Sequence, residues 1–226
     1  MGIFDISISG LLTNQAAIST TSHNIANANN EGYSRQRVDQ GARLPQFIGG
    51  NYMGVGVEVG GVRRIFELSQ QLEVQSSTAD FHAFDSFLSQ ANRVDSLLAD
   101  SDNGINNAIQ GFFTSLQGVV NDPASIPARQ VMLSEAEGMV ARFDSVYNQL
   151  ESQANEINGN IDSIAKQISA LAEGIAKLNN QIAGSSGSSP PDLLDKRDAA
   201  VVQLSELVAV QTLEQSDGSL NVFITK

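Results

Sequence analysis

An apolar repeat running from Met132 to Ile182 without a proline constrains this chain more than any other feature. Met132, Ala136, Met139, Phe143, Val146, Leu150, Gln153 and Ile157 alternate steps of four and three; after one extra step of four, Ile161, Ile164, Ile168, Leu171, Ile175, Leu178 and Ile182 resume the alternation. That period keeps a narrow stripe on one side of a helix, and the extra step is a stutter, which locally unwinds a coiled coil without breaking its stripe. At a rise of about 1.5 Å per residue the segment extends roughly 75 Å. A helix of that length predicts a rod and not a compact enzyme domain. Gly138, Gly159 and Gly174 lie inside it, each at a cost of about 1 kcal/mol, so the stripe must be well packed or bend near Gly159.

The flanks complete a helical architecture. Asn121-Asp122-Pro123 stops the preceding helix, and Pro127 suits the first helical position of the long one. Gly184 to Pro191 is a flexible linker by composition. Asp192 is expected to cap a return helix, with Leu194, Arg197, Val201, Leu204 and Val208 as its stripe. A short loop between two amphipathic helices makes them antiparallel neighbours. Leu150, Ile157, Ile164, Leu194, Val201 and Leu204 are the expected packing positions of this rod. Upstream, Phe84, Leu88, Ala91, Val94 and Leu98 form one helical stripe, widened by Phe81 and Phe87. Ile105, Ile109, Phe112, Leu116 and Val119 form another. The acidic turn Asp100 to Gly104 lacks the fifth- and twelfth-position ligands of a calcium loop, and reads as a helix connection.

Two stretches lose the helical period. From Tyr33 to Phe66, glycine clusters and alternating β-branched residues (Val55, Val57, Val59) read as short extended segments. From Val208 onward, apolar alternation around Asp217-Gly218 reads as a β-hairpin. That alternation runs to the last residues, so the sequence is expected to stop at the start of a longer β domain. The fold expected is therefore mainly α: a long antiparallel coiled-coil or helical bundle, with an N-terminal heptad helix, a short irregular β-rich segment and a C-terminal β-hairpin. The expected divisions are an N-terminal helix at 1–32, a β-rich connector at 33–66 and a helical rod at 67–207. The rod holds the long helix 128–183 and the return helix 192–208, and the start of a β domain follows at 208–226.

The N-terminal stretch is unusual in charge. No charged side chain (Asp, Glu, Lys or Arg) lies between Asp5 and Glu31, yet Phe4, Ile8, Leu11, Gln15, Ile18, Ser22 and Ile25 repeat a heptad seam. Asn14, Gln15, Thr20, Thr21, Ser22 and Asn24 make it too polar for a membrane span. Gly32 is expected to stop this helix. Built this way, it is suited to packing with other helices.

Composition removes most chemistry. Net charge is −12, which argues against nucleic acid or an anionic membrane as partner. Residues 1–66 are nearly balanced at +1, and the acid lies in the remainder, at −13. The absence of cysteine excludes disulfides, thiolate zinc sites and a cysteine nucleophile. The two histidines, His23 and His82, belong to no metal or triad motif, and no phosphate loop or nucleophile elbow is present. Gly54-x-Gly56 lacks the third glycine of a dinucleotide site. Asp192, Asp195 and Asp198 share a helical face, but Lys196 and Arg197 lie among them, so local ion pairing is expected and not a metal. No catalytic, cofactor-binding or metal-ligating residues are expected, and no enzymatic activity.

The words Ser9-Gly10-Leu11, Thr21-Ser22-His23-Asn24-Ile25-Ala26-Asn27-Ala28-Asn29 and Gly32-Tyr33-Ser34-Arg35-Gln36 resemble the N-terminal signature of bacterial flagellar axial proteins. Asn30-Glu31 stands where that family usually has Thr-Pro. Ser-Arg-Gln after Tyr33, together with Asp192-Leu193-Leu194-Asp195-x-Arg197-Asp198, narrows the resemblance to its hook-associated branch, which joins hook to filament. The resemblance implies a structural subunit that self-associates in a tubular ring, with hook protein and the next junction protein as neighbours. It implies that Ile8, Leu11, Ile18, Ile25, Asn27, Asn29, Gly32 and Tyr33 serve assembly and packing. It further implies export by the flagellar type III apparatus without a cleaved signal, and an extracellular location at the hook–filament junction. Further β domains, a C-terminal heptad helix that pairs with the N-terminal one, and a chaperone site on the C-terminal part of the family's chain are also implied. A hook or rod protein of the same family, and outside it a non-exported helical tether or binding module, remain the alternatives.

Overall fold

The computed structural model describes residues 3–98, 104–185 and 190–225. The expected acidic turn at 100–103 and the middle of the Gly/Ser linker, 186–189, lie outside the described residues. The chain is mainly α. Five helices are described: α1 (Ile3–Asn27), α2 (Leu68–Leu98), α3 (Ile105–Asn121), α4 (Ile126–Ala183) and α5 (Pro191–Ser205). Between α1 and α2 lie β1 (Gln36–Ala42), β2 (Gln46–Ile48), β3 (Asn51–Met53) and β4 (Val57–Arg64); β5 (Val210–Glu214) and β6 (Leu220–Ile224) follow α5. These elements form two compact units, residues 1–80 with 168–226, and residues 81–167. The last part of α4 belongs to the first unit and its earlier part to the second.

In the first unit, β1 pairs antiparallel with β4, and the register slips between Asp39 and Gln40. Asp39 faces Gly61 and Gln40 faces Val59, so Gly60 is the extra residue of a β-bulge. β2 and β3 form a small hairpin between them, turning on Gly49 and Gly50, both at positive φ. The C-terminal hairpin pairs Val210 with Ile224, Thr212 with Val222 and Glu214 with Leu220. Its turn closes through Gly218 at φ 81° and through Asp217 Oδ1, which accepts from the Ser219 amide (2.9 Å) and hydroxyl (2.6 Å).

The apolar core of this unit is Ile175 of α4, Val201 and Leu204 of α5, and Leu220 of β6, with Ile168, Leu171, Val208, Val210 and Val222 packed around them. Val201 is fully buried and Leu204 is 3% exposed. Asn179 fixes the hairpin to α4: its Nδ2 donates to the Leu220 carbonyl (2.9 Å), and its Oδ1 accepts from the Leu220 amide (3.1 Å).

In the second unit, α2 and α4 run parallel. Gln90 meets Gln153 and Arg93 meets Glu156 at the same separation of 63 residues, which only parallel helices keep over successive contacts. Val146 is buried here. The α2 stripe differs from expectation. Phe81, Phe84, Phe87 and Leu88 are 57–73% exposed, whereas Ala91 and Val94 are partly buried. His82 and Gln90 lie on the packed face of α2 in this unit instead, and on the part of α2 in the first unit the buried residue is Gln75. Hydrophobicity alone did not identify the packed side of this helix.

Local sequence signals set the helix boundaries, with three corrections. The α1 helix ends at Asn27, before Gly32. There Asn27 Nδ2 donates to the His23 carbonyl (2.9 Å) and Asn30 Nδ2 donates to Asn27 Oδ1 (2.7 Å). Asparagine amides compete with the backbone for helix-end groups. Gly32, at φ 75°, makes the later turn that returns Tyr33 toward the helix. Second, Pro127 is preceded in α4 by Ile126, and Ser125 Oγ caps the helix by accepting from the Ala128 amide (3.3 Å). Third, Asp192 does not cap α5: Pro190 occupies that place with no side-chain bond, and the helix ends at Ser205.

Candidate functional site: an outward apolar stripe and its polar anchor

The two faces of α1 do opposite things. Ser9 and Thr13 are buried at 4% and 3% exposure, and Ala16, Ala17, Thr20, Asn24 and Asn27 continue that packed line. Their spacing of three and four places them on one helical face. The hydroxyls of Ser9 and Thr13 are satisfied within the helix, donating to the Ile6 (2.7 Å) and Ser9 (2.9 Å) carbonyls. Small side chains let strand β4 come close. Gly56 sits at φ 105°, where a Cβ would run into Ser9 Oγ, and the Val57 amide donates to that same oxygen (3.2 Å).

The opposite face carries the expected stripe. Ile8 is 54% exposed, Leu11 69%, Ile18 67% and Ile25 73%. Nothing in the described chain covers these side chains. Large apolar groups at heptad spacing, held outward by a helix whose other face is occupied, form a ready surface for a second helix.

A polar cluster anchors α1 from below. Asn24 Nδ2 donates to the Gln36 carbonyl and its Oδ1 accepts from the Gln36 amide, both at 2.8 Å. Tyr33 returns over this point and its hydroxyl donates to Asn24 Oδ1 (2.8 Å). His23 lies edge-on to the Tyr33 ring and 3.4 Å from Asp192 Oδ1. Gln36 Nε2 also donates to Asp192 (2.6 Å). Asp192 thus ties α5 to the α1–β1 junction, a role that leaves it no part in capping. Asn29 is exposed in the turn beyond α1.

Below Asp192 the remaining charges of the DLLDKRD word close the cluster. Asp195 accepts from the Ser34 amide (2.8 Å) and from Arg64 Nη1 (2.9 Å). Arg64 Nη1 also lies 2.7 Å from Asp198 Oδ2, and its guanidinium stacks 4.0 Å above the Phe66 ring. Arg197 is 2% exposed and donates through Nη1 to the Gly218 carbonyl of the hairpin (2.7 Å). The expected local pairing is therefore only a small part of the arrangement, a 3.4 Å contact from Arg197 to Asp198. The main cation comes from β4. A buried carboxylate needs a cation and hydrogen bonds from wherever the fold supplies them, and sequence spacing does not report Arg64. Burial holds the Tyr33 phenol above its ordinary value, helped by the negative charges of Asp192 and Asp195. Among the described residues no group of His, Asp and Glu is arranged to hold a metal ion.

The other expected packing positions divide by region. Val201 and Leu204 lie in the core, Leu194 and Ile157 are partly buried, and Leu150 and Ile164 are 37% and 36% exposed.

Comparison with known proteins bears on this arrangement. Residues 91–226 match the model of the flagellar hook-associated protein FlgK helical domain. The chain belongs to the FlgK family. Residues 4–33 also match the flagella basal body rod protein model, which covers α1 and its turn alone. Flagellar hook-associated protein 1 of Salmonella typhimurium is 34% identical over 95% of this chain and 40% of its own length. The Escherichia coli K12 protein of that name is 32% identical over the same shares, and the Bacillus subtilis one 28% over 92% and 43%. The structure of the flagellar hook junction protein FlgK from Burkholderia pseudomallei superposes with a TM-score of 0.57 at 35% identity, covering 69% of this chain and 27% of that one. The chain thus spans about two fifths of the length of these curated FlgK relatives. FlgK proteins are structural flagellar proteins, which places this chain among the components of the flagellum.

Proposed function

We propose that this chain is the N-terminal portion of a structural subunit that assembles at the distal end of the flagellar hook and joins it to the filament. Copies associate around a tube, with hook protein on one side and the next junction protein on the other. The subunit reaches that place outside the cell through the flagellar export apparatus, without a cleaved signal. One observation carries the reading: the apolar stripe of α1 faces outward while its small polar face is fixed to β1 and β4. Burying a side chain such as Leu or Ile contributes about 1.5–3 kcal/mol, so a stripe of four supplies a strong drive to associate. Ile8, Leu11, Ile18 and Ile25 make the helix contact. Asn27, Gly32 and Tyr33 shape the junction that presents it.

The test is the double change Ile18→Asp and Ile25→Asp in the full-length protein. The variant should fold and be exported, and cells should lose their attached filaments. Normal swimming with that variant as the only copy would refute the proposal.

A further inference from the structure

A cleft of about 480 Å³ flanks the C-terminal half of α1. Ala17, Thr21 and Ile25 of the helix form one wall; Arg37 and Gln40 of β1, with Arg35 just before it, form the other. Ile25 belongs both to this cleft and to the outward stripe, so a helix laid on the stripe there passes the cleft. In a heptad seam the flanking positions choose the partner by charge. The α1 flank that lines the cleft carries no charge, and no Asp or Glu lines it from the strand side. Its only charged groups are the two arginines.

Those arginines are kept at a cost. Arg37 stands opposite Arg63 in the ladder, and like charges in that position repel. Asp39 lies 2.8 Å from Arg63 Nε but 3.5 Å from Arg37 Nη2, so it serves Arg63 first and leaves Arg37, 57% exposed, weakly paired. The Arg35 side chain is exposed and makes no hydrogen bond or ion pair among the described residues. β1 runs alongside α1 in the opposite direction. Asn24 holds Gln36 at one end, and Ser9 meets Val57, the ladder partner of Ala42, at the other. The step from Arg35 to Arg37 therefore lies along the axis of α1.

We infer that Arg35 and Arg37 select the helix that covers the α1 stripe, by pairing with two carboxylates set one turn apart on that helix's flank. The inference rests on the assembly reading above. Spacing commits the occupant. Alternate strand residues are about 6.6 Å apart, and helix residues i and i+4 are about 6 Å apart along the axis. The two pairs form together in one register only, so they also fix how far the partner slides along an otherwise uncharged seam.

The test titrates this chain with synthetic amphipathic peptides of about three heptads, which share one leucine seam and differ at two flanking positions one turn apart. Those positions are Glu, Gln or Lys, and binding is read by fluorescence anisotropy. At low salt the Glu peptide should bind about tenfold more tightly than the Gln peptide, as two exposed ion pairs allow, and the Lys peptide should be weakest. Molar salt should erase that order. R35Q/R37Q should bring the three affinities together, and R35E/R37E should reverse their order. Equal affinities for the native chain, or an order unchanged in R35Q/R37Q, overturn the inference and leave the stripe reading standing. A Glu peptide broken by a central proline that binds as well as the intact one overturns the helix as occupant. I18D/I25D should abolish binding of all three peptides. If no peptide binds the native chain, or the Glu peptide still binds I18D/I25D, the stripe reading fails and takes this inference with it.

Discussion

The α1–connector junction and the α4–α5–hairpin core solve the same problem with opposite materials. In both, an asparagine on a helix grips one strand residue through its amide and carbonyl together: Asn24 holds Gln36, and Asn179 holds Leu220. Around Asn179 the contact is apolar, with Ile175, Val201, Leu204 and Leu220 buried. Around Asn24 it is small and polar, with Ser9 and Thr13 inside while Ile18 and Ile25 face out. The contrast teaches that a hydrophobic pattern marks a face a helix can bury, not whether its own chain covers that face. The hairpin's partner lies in the same chain, so its apolar residues are already covered. Nothing among the described elements covers the apolar stripe of α1, and its dock relies on hydrogen bonds.

Breaking the polar anchor should cost most. Asp195→Ala removes the acceptor for Ser34 and leaves Arg64 with Asp198 alone. A loss of about 3–5 kcal/mol is expected by denaturant unfolding, since a buried ion pair loses one of its carboxylates and the Ser34 amide loses its acceptor. Loss no greater than that of an exposed pair would mean the anchor is not stabilising. In the apolar region, Leu204→Ala should cost about 2–5 kcal/mol by the same measurement. Hydrogen exchange should show the loosening in the hairpin and α5, with the α1 amides least affected.

Gly56→Ala should cost about 1–3 kcal/mol, because a side chain there is strained by positive φ as well as crowded by Ser9. Exchange should rise in α1 and β4 and leave Asn179–Leu220 protected. Ser9→Ala in the same chain should recover part of the crowding and none of the strain. Equal loosening of both regions would dissolve the contrast between them.

Tyr33 gives a smaller, pH-linked effect. Its phenol is raised by burial and by the two aspartates, so the folded state favours the protonated form. That contribution is complete below about pH 10 and is lost as pH rises through the raised folded value. Thermal unfolding should therefore show a steeper alkaline loss for the native chain than for Tyr33→Phe, which in turn loses about 1 kcal/mol at neutral pH with the hydrogen bond to Asn24. Parallel alkaline profiles would count against the anchor's negative field.

Smallest of all, Ile18→Asp should change stability by no more than about 0.5 kcal/mol, as an exposed substitution does. A large loss would mean that the stripe is part of the chain's own core after all.

Helix positions were legible because their signals are local. The heptad steps, Pro123, Pro127 and the Gly/Ser linker bracketed α4 and α5 closely, and Asp217-Gly218 marked the hairpin turn. The stripe of α1 was legible for the same reason. Which face of α2 packs was not, since Phe84 and Leu88 are as apolar as anything buried and yet face out, while Gln75 is 4% exposed. The polar anchor was half legible: the aspartates of α5 stood out by spacing, but Arg64 and Ser34 stand more than a hundred residues away in the chain.

The sequence by itself determined that α1 would be a helix free of Asp, Glu, Lys and Arg beyond Asp5, with one apolar stripe, because 3.6-residue periodicity is written in residue order. Tertiary structure alone decided that the stripe would be left outward, that Asp192 would serve α1 and not its own helix, and that Arg64 would neutralise Asp195. Those outcomes depend on which backbones come within a few ångströms of each other. That proximity is set by the summed packing of elements far apart in the chain, and no local pattern encodes it.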